Sequence, residues 1–184
     1  MNKFRSFFAL LVVLIPVSMV SVNAQAYTAG KTAPAKTIEQ QISHKIKMLP
    51  YYGVFDHITF QVTGNTVTLN GKVNSLGTRR DAEASVKSIS GVANVVNNIE
   101  NLPPSSFDDA IRRQTLRTFL ARGPGQYFWE INPDVRIIVD RGNVTLEGFV
   151  SRSGDSNTLN ILANGVSGVF HVQNNLIVGS SSDR

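Results

Sequence analysis

Few residues in this 184-residue chain have the types and spacing that chemistry needs. There is no cysteine, which excludes disulfides, thiolate metal sites, a cysteine nucleophile and a lipid-modified cysteine together. The three histidines, His44, His57 and His171, do not pair at helical metal-ligand spacing and have no obvious carboxylate partner, so no metal site is expected. Serines are plentiful, but no Gly-x-Ser-x-Gly elbow occurs. Asp108 and Asp109 follow Ser106 where a helix opens. Acids there complement the helix dipole, and they read as a helix start rather than a catalytic pair. The sequence therefore predicts no enzyme, no catalytic residue and no cofactor. One group stands out: Arg112, Arg113 and Arg117, followed by Tyr127, Phe128 and Trp129 behind a Gly-Pro-Gly turn. Guanidinium groups suit phosphate oxygens, and Trp and Tyr rings suit the headgroup boundary of a bilayer. These six residues are the expected contact with anionic phospholipid. The competing reading is that the aromatics complete a small core and that the neighbouring leucines dock two domains.

The elements that must position this group come from an internal repeat. Val67-Thr68-Leu69-Asn70-Gly71-Lys72-Val73 matches Val144-Thr145-Leu146-Glu147-Gly148-Phe149-Val150. Gly91-Val92-Ala93-Asn94-Val95-Val96-Asn97-Asn98 matches Gly168-Val169-Phe170-His171-Val172-Gln173-Asn174-Asn175. Both pairs keep one offset of 77 residues, and 67–99 against 144–176 gives 12 identities in 33 positions. Each copy reads as helix, strand, strand, helix, strand. Ile38, Ile42 and Ile46 recur at helical spacing, with Pro50 beyond them. Ile58, Phe60 and Val62, then Val67, Leu69 and Val73, alternate as two strands around Gly64-Asn65. Ala82, Val86 and Ile89 return to helical spacing, Gly91 is the expected left-handed helix cap, and Val92–Ile99 forms a third strand. Copy two follows the same plan to Val178, with Gly168 in the place of Gly91. Gly71 and Gly148 mark a close backbone approach. The expected class is α+β, two tandem αββαβ modules at 37–103 and 107–178 with a tail at 179–184, each a three-stranded mixed sheet with two helices on one face. The sequence does not show whether the modules dock.

The first residues belong to targeting rather than fold. Lys3 and Arg5 precede an apolar run from Phe7 to Val22, and Val22-Asn23-Ala24 and Ala24-Gln25-Ala26 each supply a small-residue cleavage site, after Ala24 or after Ala26. That order predicts a cleaved signal at 1–24, export to the periplasm and a flexible leader at 25–36. The run is 16 residues, short of the ~20 that span a bilayer. Removing Lys3 and Arg5 lowers the formal charge from +5 to +3. Module one carries +1 and residues 104–184 are neutral, so the pI near 9.7 does not signal nucleic-acid binding.

The pattern Val-Thr-Leu-x-Gly-x-Val, then a helix, then Gly-Val-x-x-Val-x-Asn, resembles the BON domain, and both copies carry it. Two such domains behind a signal resemble the osmotically inducible periplasmic proteins with two BON domains. The resemblance implies an αββαβ fold, envelope maintenance or osmotic stress protection, and association with phospholipid surfaces. Without a lipidated cysteine, attachment would be peripheral and reversible. The alternative from another class is a chaperone-like module binding an envelope protein by strand addition at an exposed third strand.

Overall fold

The computed structural model describes residues 37–179. The expected signal segment, the whole of the leader and all of the tail but Gly179 lie outside the described residues. In copy one, α1 (Ile38–Lys47), β1 (His57–Thr63), β2 (Thr66–Val73), α2 (Leu76–Lys87) and β3 (Asn94–Asn101) follow in order. In copy two, α3 (Ser106–Arg122) leads through a short 3-10 turn (Gly125–Phe128) to β4 (Val135–Asp140), β5 (Asn143–Val150), α4 (Ser153–Asn164) and β6 (His171–Val178). Each copy forms its own sheet, β1-β2-β3 and β4-β5-β6, with the first pair antiparallel and the second parallel. The α+β class and the two mixed three-stranded sheets are as the repeat predicts.

Local chemistry explains the elements. Thr37 caps α1 by a reciprocal pair of bonds with Gln40, which satisfies two orphan donors of the first turn. Ile42 and Ile46 of α1 and Ala82 and Val86 of α2 bury against Ile58, Val67, Leu69 and Ile99 of the first sheet. Copy two builds the same layer pair from Ile111, Phe119, Leu159 and Ala163 over Ile137, Val144 and Leu146. Gly71 and Gly148 are needed in β2 and β5. A Cβ there would lie 2.0 Å from His57 O and 1.9 Å from Asp134 O, at φ values of +134° and +113°.

Gly91 and Gly168 correct one expectation. They do not cap the helices: α2 ends on Ser88 and α4 on Gly165, both in right-handed conformation. The glycines come three residues later, at φ +95° and +88°. Between cap and glycine a tight turn buries Ile89 and Val166, and a second, Val92 N to Ile89 O and Val169 N to Val166 O, closes on the glycine. That is why the third strands begin at Asn94 and His171 rather than at Val92 and Val169.

The repeated Asn97 and Asn174 do matching work. Leu102 N donates to Val73 O, so residues alternating with it bond to β2 and Ile99 lies on the open side of β3. Asn97 Oδ1 accepts the Ile99 amide at 3.1 Å, and its Nδ2 donates to Arg79 O and Glu83. Asn174 treats the Leu176 amide and Ser156 in the same way. Each asparagine thus ties its edge strand to the helix and consumes an edge donor.

The two copies pack directly on one another. Ile137 N of β4 donates to Val54 O at 2.8 Å, so the connection before β1 covers part of the open edge of β4. Val54 and Phe55 pack against the core of copy two. Arg136, 7% exposed, donates from Nη1 to Gly53 O at 2.7 Å, and its Cζ lies 4.6 Å over the Tyr52 ring. Asp56 is buried beside it and accepts the amides of Gly53 and Asn74. Burial raises the Asp56 carboxyl above its ordinary range and lowers the Arg136 guanidinium, each partly offset by the other's charge. At the far end of β4, Lys72 Nζ meets Asp140 at 2.8 Å, and that bond holds the Asp140 carboxyl below its ordinary 3.8.

Candidate functional site

Helix α3 decides which of the candidate side chains reach solvent. Ser105 caps it, its Oγ accepting the Asp108 amide at 3.1 Å. Asp108 is buried and does more than complement a dipole. Its two carboxylate oxygens accept the amides of Gly142 and Arg141 at 2.8 and 2.9 Å, which clamps the helix to the β4–β5 turn. One turn on, Arg112 points inward at 2% exposure. Its Nη1 meets Asp109 at 2.6 Å and its Nη2 donates to Val139 O at 2.5 Å. A helix turns 100° per residue, so Arg113 and Arg117 lie about 100° and 140° round from Arg112, away from the sheet, and both are exposed, as is Arg122. No ion pair or hydrogen bond neutralises these three among the described residues. The acids of α3, Asp108 and Asp109, are already engaged.

The aromatic segment divides in the same way. Tyr127 is buried, its hydroxyl donating to Asp155 at 2.7 Å and accepting the Ser151 amide at 2.8 Å, which moors the segment to α4. Phe128 packs on Phe119 with ring centroids 5.4 Å apart. Trp129 stands out, 77% exposed, with Ile131 at 90% and Leu120 at 47% near the same end of α3. The other end carries Phe107 and Phe170, paired at 5.9 Å and both exposed. From Phe107 to Leu120 the helix rises about 20 Å at 1.5 Å per residue. Exposed apolar groups therefore stand at both ends of the helix, and Arg113 and Arg117 lie between them along its axis. An open groove of about 720 Å³ runs along it between α3 and α4, with Arg117, Arg122, Leu162 and Val166 among its walls.

Of the six residues expected to touch lipid, Arg113, Arg117 and Trp129 reach this surface, whereas Arg112, Tyr127 and Phe128 turn inward. Phe107, Phe170 and Ile131 join it without having been singled out from the sequence. Phe170 did leave a signal: it replaces Ala93 of copy one at an equivalent position. Of the neighbouring leucines, Leu116 packs against the same core of copy two that Val54 and Phe55 of copy one join, whereas Leu120 is exposed. No helix among the described residues is long and apolar enough to cross a membrane.

Comparison with known proteins gives one family. The BON domain model matches residues 34–103 and again residues 108–180. No curated protein matches. Among solved structures, the chain is similar to the C-terminal domain of CdsD, the structural protein of the type III secretion system of Chlamydia trachomatis. One such structure shares 13% identity at a TM-score of 0.27, covering 76% of this chain and 96% of that one. A second structure of CdsD shares 13% identity at 0.28, covering 79% and 94%.

Proposed function

Because this chain belongs to the BON-domain family and carries the domain twice, we propose that it is a periplasmic protein that binds anionic phospholipid surfaces peripherally. Its place would be envelope maintenance or osmotic stress protection, reached through the cleaved signal expected at 1–24. The observation that carries the reading is the outer side of α3, where unneutralised Arg113 and Arg117 lie between exposed aromatic groups. A surface helix of that composition lies in the interfacial plane, with apolar side chains in the acyl boundary and cations at phosphate depth. Each cation near an anionic leaflet contributes about 1 kcal/mol, screened within a Debye length. Binding of this kind is weak and reversible.

The test is co-sedimentation with phosphatidylglycerol vesicles. Arg113→Glu with Arg117→Glu should weaken partition at least tenfold, as should raising the salt severalfold, at unchanged circular dichroism. Equal partition of the double variant and the parent would defeat the proposal. The chaperone-like alternative by strand addition is disfavoured at both third strands. Asn97 and Asn174 occupy edge amides, and Arg79 also donates to the outward Asn97 carbonyl of β3.

A further inference from the structure

The connection from α1 to β1 repeats in copy one what the connection from α3 to β4 does in copy two. The last turn of α1 carries His44, Lys45 and Lys47. Both lysines are exposed, and neither has an ion pair among the described residues. Next come Met48, 68% exposed, and Tyr51, 87% exposed, with Pro50 exposed between them. Copy two shows the same order: Arg117 and Arg122, then Trp129 and Ile131 in the open. In each copy a cationic helix end is followed by an apolar knob.

Tyr51 is held out by its backbone. It sits at φ +63°, a left-handed conformation that costs a bulky residue energy and that glycine or asparagine would adopt more easily. Its neighbours fix it there. Leu49 and Tyr52 are buried, Tyr52 N donates to Leu49 O, and the Tyr52 ring lies under Arg136. The two knobs also adjoin one seam. Gly53, two residues past Tyr51, accepts from Arg136, which follows Ile131 by five residues.

We infer that copy one supplies a second contact with the same anionic bilayer: Met48 and Tyr51 enter the interfacial layer, and Lys45 and Lys47 face the headgroups. The inference rests on the reading of α3 given above and adds to it a role for the first domain. Charge complementarity selects the occupant, since α1 has one acid, Glu39, in its first turn and only basic groups in its last. Two weak contacts on docked modules bind a surface more tightly than either alone, because the second forms at high effective concentration.

The test uses residues 25–184 and vesicles of phosphatidylglycerol in phosphatidylcholine, with and without brominated acyl chains. Trp129 is the only tryptophan, so its emission reports copy two directly. Tyr51→Trp in a Trp129→Phe background reports copy one. The inference expects blue-shifted emission and bromine quenching of the indole introduced at position 51. It also expects at least fivefold weaker partition for Met48→Ser with Tyr51→Asn, a pair that keeps the fold because asparagine accepts the backbone at 51. Quenching at Trp129 with none at position 51 would overturn the inference and leave the α3 contact standing. Quenching at neither site would overturn both. A doubled sedimentation mass lost in the Met48→Ser, Tyr51→Asn variant, without quenching at 51, would show a second copy as the occupant and also overturn it.

Discussion

Two adjacent arginines have opposite fates in this protein. Arg112 is enclosed, and its guanidinium supplies the partner of Val139 O and Asp109. Arg113 makes no hydrogen bond or ion pair among the described residues. Arg112→Ala should therefore cost about 3 kcal/mol, because it leaves the buried Val139 O unpaired and opens a void. Arg113→Ala should change stability by less than about 0.5 kcal/mol while weakening vesicle binding. Urea unfolding at constant slope separates the two, and vesicle partition reads the second. Equal destabilisation by both would contradict the orientation of α3.

At the scale of the elements, two glycines of copy two separate close approach from free space. Gly148→Ala sets a methyl group against Asp134 O in a backbone conformation that disfavours a side chain, and should lose about 3 kcal/mol or more. Gly154 in the first turn of α4 meets nothing within 4 Å, and Gly154→Ala should be neutral or gain about 0.5 kcal/mol. Thermal midpoints of the two variants are enough to check the contrast. The edge asparagines belong to this scale too. Asn174→Ala frees the Leu176 amide and removes the bonds to Ser156, so that hydrogen exchange should quicken along β6 before it does along β3.

The whole molecule depends on the seam between copies, and part of that seam titrates. The Asp140 carboxyl is held below its ordinary 3.8 by Lys72. A depressed carboxyl contributes stability that is present above 3.8 and is lost as pH falls through the folded value. Asp56 runs the other way. Its raised carboxyl favours the protonated folded form, so its contribution is full below 3.8 and disappears as pH rises through the raised value. Acidification from neutrality should thus first relieve Asp56 and then weaken the Lys72–Asp140 contact. In unfolding midpoints measured against pH, Asp140→Asn should remove the loss below 3.8 attributable to that pair, and Asp56→Asn should flatten the limb above it. Persistence of both limbs in the double variant would show that the seam is not their source.

The amino-acid sequence by itself determined the repeat, the order of elements in each copy, the α+β class and the family. These follow from periodicities of two and 3.6 residues and from glycines that backbone approach requires, which are local and appear twice. Only the tertiary structure decided that Arg112 turns inward while Arg113 and Arg117 face out. One residue step is 100° of helix rotation, and three arginines within six positions do not reveal which side the sheet covers. It alone decided that the copies dock. The seam is made by Val54, Tyr52 and Arg136, from segments outside the repeated motifs, and by Lys72, which the repeat does not preserve, and their meeting depends on how two finished cores approach each other.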